Sequence, residues 1–363
     1  MILFLKTFGL AFACALALTP LAIWLAPKIG AMDVPRDNRR MHTKPVPRFG
    51  GIAIFLATLI SCLAFVPMTQ QLKGVLIGAA MIVALGIVDD IKGLRPMVKF
   101  AGQVVCTALP VIFGVRFTGF SDFFNPNPGA YISFSSVVSI ICTFVWVVAI
   151  VNTINLVDGL DGLAAGISCI ACLSVAYTFY IMGFIGDSAA ILCVAGAAFG
   201  FLFYNFNPAK IFMGDAGSMF LGFMLANLSL MGAGQTKRTA LFSALVPLVI
   251  LALPIFDTVF AVVRRAVNHK PIMQADKGHL HHRIMAMGFG QKRTVLVLYC
   301  ISTIMGLAGV LWTEHLLLQA GVLTLVGACL IVVFLGIGMK HSPQEQAGAN
   351  AKPQKISEEQ KEN

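Results

Sequence analysis

Charge is scarce in this sequence. Only 12% of its 363 residues are Asp, Glu, Lys or Arg, about half the share of soluble domains (~25%). With 58% of residues hydrophobic, a chain of this length cannot hide its apolar surface in water, so the solvent is lipid. Metal-type cysteine pairs in polar loops are also missing. The nine cysteines (14, 62, 106, 142, 169, 172, 193, 300 and 329) nearly all lie inside apolar runs. They read as small buried hydrophobes and report nothing about redox compartment. No GxxxxGK[ST] run is present, which removes ATP as the obvious donor, and there is no redox-cofactor motif and no internal repeat. A net charge of +10 would suggest nucleic acid in a soluble protein. Here the location of the charges matters more than their sum, and no nucleic-acid partner is expected.

What the chain has in quantity is long apolar runs. A spanning helix needs about 20 mostly apolar residues, and about eleven segments qualify: roughly 2–26, 50–67, 74–90, 97–114, 134–153, 162–182, 188–205, 216–233, 241–263, 294–312 and 317–338. The fold class expected is all-α, a polytopic membrane bundle of about 10–11 transmembrane helices over residues 1–340. The first run has only Lys6 ahead of it and continues to Pro27, so it reads as a retained helix rather than a cleaved signal. Residues 68–73 read as a tight turn and 118–133 as a turn-rich outer loop. From about His341 the chain is polar and free of aromatics, the composition of a disordered tail over 341–363.

Lys and Arg set the orientation. With eleven spans, one set of alternate connections and the tail carry 21 of the 26 basic residues, and the other side carries five. The first side is therefore read as cytoplasmic, with the N-terminus outside and the C-terminus inside.

The acids follow the same side. Asp89, Asp90, Asp158, Asp161, Asp215, Asp257 and Asp276 all fall at cytoplasmic span ends or in cytoplasmic loops, against Asp122, Asp187 and Glu314 outside. Acids at span ends are costly unless they pair or bind something. Asp89 and Asp90 close the third span, pointing about 100° apart if helical, so one can face a metal and the other a proton or structural partner. A capped helix end with ion pairs explains this segment equally well. In Asn152-Thr-Ile-Asn155-Leu-Val-Asp158-Gly-Leu-Asp161-Gly, polar groups recur every three residues. Gly159 and Gly162 suggest irregular backbone, which membrane depth tolerates beside protein or a water-filled cavity. Asp215 sits between glycines before an apolar run. Backbone N–H groups at such a helix start suit anions, and an Asp beside them can bring Mg²⁺; a plain helix cap is the alternative.

The longest cytoplasmic loop holds Asp276-Lys277-Gly278-His279-Leu280-His281-His282-Arg283. No Cys or nearby Glu completes a zinc site, so phosphate contact or protonation of a leaving group fits better. If helical, His279 and His282 share a face and His281 does not. In the loop after the first span, the prolines and Gly50-Gly51 around Lys44 and Arg48 suggest held cations, although the positive-inside rule alone accounts for both. Acids gathered on a basic face imply a multiply charged anion with a divalent cation, the equipment of phosphoryl-type transfer.

These motifs, in order from PVPRFGG at 45–51 to HLHHR at 279–283, resemble those of the polyprenyl-phosphate N-acetylhexosamine-1-phosphate transferases. The HLHHR loop is similar to that of the undecaprenyl-phosphate GlcNAc-1-phosphate transferases that start teichoic acid, O-antigen or enterobacterial common antigen synthesis. The related phospho-MurNAc-pentapeptide transferases usually carry consecutive histidines, which Leu280 interrupts here. The resemblance implies attack of undecaprenyl phosphate on UDP-GlcNAc, release of UMP, and a Mg²⁺ cofactor for which Mn²⁺ can substitute. It implies Asp215 and Asp90 as metal ligands and Asp89, Asp90, Asp158, Asp161 and His279 as catalytic. It places Lys44, Arg48, Lys99, Asn152, Asn155, Asn205, His281, His282 and Arg283 against substrate. The site would face the cytoplasm at the plasma membrane, and a homodimer is compatible with the reading. Two rivals stand beside it: another UDP-sugar transferase of the same superfamily, and an ion-coupled transporter. The transporter is disfavoured because the acids lie at one face rather than at mid-bilayer.

Overall fold

The computed structural model describes residues 1–34, 45–121, 131–233, 246–268 and 279–340. Lys44, Asp122, Asp276 and the tail 341–363 lie outside the described residues. Helices occupy all eleven expected segments. In chain order they are α1 (Ile2–Ile29), α2 (Gly50–Phe65), α3 (Gln70–Lys92), α4 (Pro96–Ile112), α5 (Ser136–Val157), α6 (Leu163–Ile181), α7 (Ile185–Asn205), α8 (Gly214–Ala233), α9 (Ala252–Val267), α11 (Gln291–Thr313) and α12 (Leu317–Lys340), with a short α10 (Leu280–Ala286) in the histidine segment.

Seven of these helices, α1, α3, α5, α6, α7, α11 and α12, are long and apolar enough to cross a membrane. α2 and α4 are apolar but only 16 and 17 residues long. At ~1.5 Å per residue they reach about 25 Å, short of a ~30 Å hydrocarbon core. The segment expected as one span at 241–263 is broken at Leu251, between a helical stretch at 246–250 and α9. Its first five residues lie outside the described ones.

Local chemistry sets the boundaries. Thr69 Oγ1 accepts from the Leu72 N–H at 3.1 Å to cap α3, so the turn after α2 is as short as expected. Pro96 opens α4 at the first helical position, where its missing N–H costs nothing. The ends of the connection between α4 and α5 pair as a small hairpin, β3 (Gly119–Ser121) with β4 (Tyr131–Ser133).

α8 is the hub. Ala216, Met219, Phe220, Phe223, Met224 and Leu228 are fully buried, which is why a helix so apolar touches protein rather than lipid. It packs against α2, α3 and α5. The approach near its start is too close for a side chain. A Cβ on Gly51 would collide with the Gly217 backbone, and one on Gly86 with Ala216. Small residues let membrane helices come this near, and here they bring α2 and α3 onto the turn that carries Asp215.

The loop after α1 is also pinned there. Strands β1 (Met32–Asp33) and β2 (Val46–Pro47) pair antiparallel. The Arg48 N–H donates to Ala31 O at 2.9 Å, Phe212 N–H to Pro47 O at 2.8 Å, and Gly50 N–H to Phe212 O at 3.0 Å. Arg48 is thus fixed between the end of α1 and the strand-like segment entering α8.

Candidate active site

Four helix ends and one loop meet at Asp215. Its Oδ1 accepts from Arg48 Nη2 at 3.2 Å and from Asn155 Nδ2 at 2.8 Å. Its Oδ2 accepts from Lys99 Nζ at 2.9 Å. The same ammonium reaches Asp89 Oδ2 at 3.0 Å and Asn155 Oδ1 at 3.3 Å. Arg48 Nε pairs with Asp90 Oδ1 at 3.0 Å. α4 supplies Lys99, α5 supplies Asn155 in its last turn, and α3 supplies the aspartate pair in its last turn.

The adjacent aspartates do divide their work. Asp90 turns inward, 1% exposed. Its two oxygens accept from the N–H groups of Asp215 and Ala216 at 2.8 and 3.1 Å. The free N–H groups at the start of α8, read from sequence as an anion site, are therefore taken by a carboxylate of this chain. Asp90 is the cap of α8, and its geometry favours that role over metal ligation. Asp89 turns the other way. Its Oδ1 accepts from the Leu94 N–H at 2.7 Å while Oδ2 holds Lys99.

α5 ends at Asp158, and the backbone is irregular through Gly162, as the glycines suggested. Asp158 is half-buried. Its carboxyl is pushed up to about 7, chiefly by burial, with Arg48 opposing and the charges of Asp215, Asp90 and Asp161 adding. Asp161 ties this loop to the one before α8. Its Oδ2 accepts from Asn207 Nδ2 at 2.9 Å and the Ala209 N–H at 3.1 Å. Asn205 is a second clasp, accepting from the Gly162 N–H at 3.1 Å and donating to Ile211 O at 2.9 Å.

The histidine segment reaches the same loop. His281 is buried, its Nε2 has no hydrogen-bond partner, and a Cβ on Gly159 would lie 2.7 Å from that atom. Burial first, and the charge of His282 second, hold its ring well below the usual range, at about 3. The sequence expectation for register fails. His279 precedes α10 in extended backbone, so its ring stacks on His281 rather than sharing a face with His282. The His279 and His281 centroids are 5.8 Å apart with planes 3° from parallel. In an extended segment, residues two apart share a side.

Two expected substrate contacts have partners within the protein. Asn152 and Gln103 exchange amide hydrogen bonds of 2.7 and 3.3 Å inside the bundle. Arg283 donates to Leu335 O at 2.7 Å and lies 5.0 Å from the Phe260 ring centroid. Gln103 and Ser218 are polar anchors that sequence reasoning passed over, and Asp257, counted there only among the cytoplasmic-side acids, is a third. Ser218 accepts from Asn155 Nδ2 at 2.8 Å; only its position one helical turn after Gly214 signalled it.

Among the described residues no group of three or more His, Cys, Asp or Glu side chains is arranged to hold a metal alone. The cluster still suits a divalent cation that shares its ligands with phosphate. Asp89, Asp90 and Asp215 outnumber the two cations Arg48 and Lys99, leaving surplus negative charge beside Asp158. Hard carboxylate oxygens are the donors Mg²⁺ takes, one or two at a time, with waters and substrate phosphates.

A family model described as glycosyl transferase family 4 matches residues 72–233, the stretch from α3 through α8 that carries the aspartate pair, Lys99, Asn155, Asp158 and Asp215. A Bacillus subtilis (strain 168) protein named probable undecaprenyl-phosphate N-acetylglucosaminyl 1-phosphate transferase is 41% identical over 316 residues, covering 85% of each chain. A decaprenyl-phosphate N-acetylglucosaminephosphotransferase of Mycobacterium tuberculosis is 37% identical over 304 residues, 76% of this chain and 74% of its own. A phospho-N-acetylmuramoyl-pentapeptide-transferase of Shouchella clausii is 30% identical over 323 residues, 83% and 94% of the two chains.

Proposed function

The chain belongs to the polyprenyl-phosphate N-acetylglucosamine-1-phosphate transferases of glycosyl transferase family 4, and on that premise we propose that it transfers GlcNAc-1-phosphate from UDP-GlcNAc to undecaprenyl phosphate. The products are undecaprenyl-diphospho-GlcNAc and UMP, the first membrane step of a cell-envelope polysaccharide or teichoic acid. One observation carries this reading beyond kinship. Asp215 is held at once by Arg48, Lys99 and Asn155, a carboxylate ringed by the groups that a metal-bound diphosphate requires.

Mg²⁺, with Mn²⁺ able to substitute, would be held by Asp215 together with waters and substrate phosphate oxygens. When bound it neutralises diphosphate oxygens and stabilises charge on the leaving phosphate. Asp90 keeps α8 in place behind the site. Arg48 and Lys99, paired with carboxylates here, are the cations available to phosphate oxygens. Asp158, Asp161 and Asn155 line the nucleotide side, and the histidines approach it across Gly159.

In the reaction, an oxygen of the lipid phosphate attacks the sugar-linked phosphorus. The bond from that phosphorus to the UMP oxygen breaks, and UMP leaves with the electron pair. A phosphate monoester loses its second proton near pH ~6, so the lipid is already an anionic nucleophile and no covalent enzyme intermediate is needed. Asp89, fixed at one oxygen by the Leu94 N–H, holds the Lys99 ammonium at the cleft, and a lipid phosphate that arrives as the monoanion gives its one proton to Asp89.

The 21-to-5 skew of Lys and Arg supports a site on the cytoplasmic face of the plasma membrane, the side on which UDP-sugars are available. The 30% identity to a pentapeptide transferase keeps UDP-MurNAc-pentapeptide as the second donor to test. Purified protein given each donor with undecaprenyl phosphate decides it by the mass of the lipid product. Undecaprenyl-diphospho-GlcNAc is expected; a MurNAc-pentapeptide lipid alone would overturn the donor assignment.

A further inference from the structure

Asp257 lies on α9, outside the carboxylate cluster, and no step above uses it. A buried acid at the edge of a membrane bundle is costly unless it is paired and hydrogen-bonded. This one is 5% exposed and is held at both oxygens. Oδ2 lies 3.0 Å from His279 Nδ1, and Oδ1 accepts from the Leu280 N–H at 2.7 Å. One carboxylate thus grips a ring and the backbone of the next residue. The grip fixes where the histidine segment sits and how the first ring is turned.

We propose that Asp257 is a positioning residue for His279. Its carboxylate takes the Nδ1–H and leaves Nε2 as the ring nitrogen free to meet the substrate. The general logic is that of a carboxylate behind an imidazole, which selects the tautomer and holds the ring without touching substrate. The effect extends past one ring. His279 is stacked on His281, and His281 Nε2 abuts Gly159 beside Asp158, so the orientation set on α9 reaches the loop of the carboxylate site. An ion pair serving stability alone is often replaceable by apolar packing; a carboxylate that also caps the adjoining N–H has a directional role that packing cannot reproduce. The inference rests on the transferase reading for the identity of the substrate, but the ring assignment stands without it.

The substitution Asp257→Asn tests it. The Asn oxygen can still accept from Leu280, while its amide can only donate toward His279 and so favours the opposite tautomer. The ring nitrogens of His279, identified in ¹⁵N-histidine spectra by their loss in His279→Gln, should show a protonated Nδ1 and bare Nε2 in the unsubstituted protein. The two should exchange in Asp257→Asn. A bare Nδ1 in the unsubstituted protein overturns the proposal whatever the substrate is. With UDP-GlcNAc and undecaprenyl phosphate, kcat should fall about 100-fold or more in Asp257→Asn, the low end of what a well-placed acid or base contributes, with KM for UDP-GlcNAc little changed. In the His279→Gln background the same substitution should cost nothing further. Full multiplication of the two losses would make Asp257 a structural residue acting elsewhere and overturn the proposal. Failure of the unsubstituted protein to release UMP would instead count against the function above, with the nitrogen spectra still deciding the role of Asp257.

Discussion

The Asp90 carboxylate accepts hydrogen bonds from the N–H groups of Asp215 and Ala216, at 2.8 and 3.1 Å. An acid at the last turn of one helix therefore caps the first turn of another, and the carboxylate proposed to hold metal sits on the capped turn. Losing the cap and losing the ligand should look different. Asp90→Ala should destabilise the protein by about 1–2 kcal/mol, the usual cost of a removed N-cap, and lower its melting temperature in detergent. Asp215→Asn should abolish Mg²⁺-dependent UMP release with a smaller thermal effect. Equal thermal losses in the two variants would contradict this division of labour.

Asp89 is the acid of the pair that faces the cleft, through Lys99. Asp89→Asn should leave UDP-GlcNAc binding intact, measured by equilibrium dialysis, while turnover stops. Incubation of the unsubstituted protein with labelled donor should yield no phospho-enzyme. A labelled protein band that disappears in Asp89→Asn would replace direct attack with a covalent route.

The His281 ring lies where a Cβ on Gly159 would stand. Gly159→Ala adds a methyl within 2.7 Å of that atom and should push the histidine segment from the loop. The expected result is a fall in kcat/KM of about tenfold or more, on the scale of a misplaced catalytic group, with helical circular dichroism unchanged. Unaltered kinetics would detach His281 from the site.

His281 also gives stability a pH dependence. Burial holds its folded-state pKa at about 3, against ~6.5 for an unperturbed histidine. Below pH ~6.5 the unfolded chain takes a proton that the folded protein refuses, so this contribution is complete above that pH and is lost as pH falls toward 3. The slope is about 1.4 kcal/mol per pH unit for one such group. The melting temperature of His281→Gln should therefore decline less steeply between pH 7 and pH 5 than that of the unsubstituted protein. Parallel declines would mean that the ring is protonated in the fold.

The sequence was a good guide to helices and a partial guide to contacts. Apolar run length locates each membrane helix because backbone groups in lipid must bond within their own segment. The same rule concealed that α2 and α4 are only 16 and 17 residues long and that the segment before α9 breaks at Leu251. Of the residues offered by the motifs and the resemblance, Arg48, Lys99, Asn155, Asp89, Asp90, Asp158 and Asp215 lie together in the structure. Roles were harder to read, because they depend on direction. Nothing in adjacent letters says that Asp90 turns toward α8 and Asp89 toward Lys99. Helical spacing misjudged His279, which stands one residue outside its helix. Asp257 counts among the cytoplasmic-side acids but falls outside the motifs, since its partner lies 22 residues away. Lys44 lies outside the described residues.

UMP release by purified protein with UDP-GlcNAc and undecaprenyl phosphate, followed as Mg²⁺ is titrated into metal-stripped enzyme, decides whether Asp215 serves a metal-dependent sugar-phosphate transfer. No release is expected without metal, release should rise to saturation with Mg²⁺, and Asp215→Asn should give none at any Mg²⁺ concentration. Release that is indifferent to chelation, or that survives in Asp215→Asn, would contradict that role.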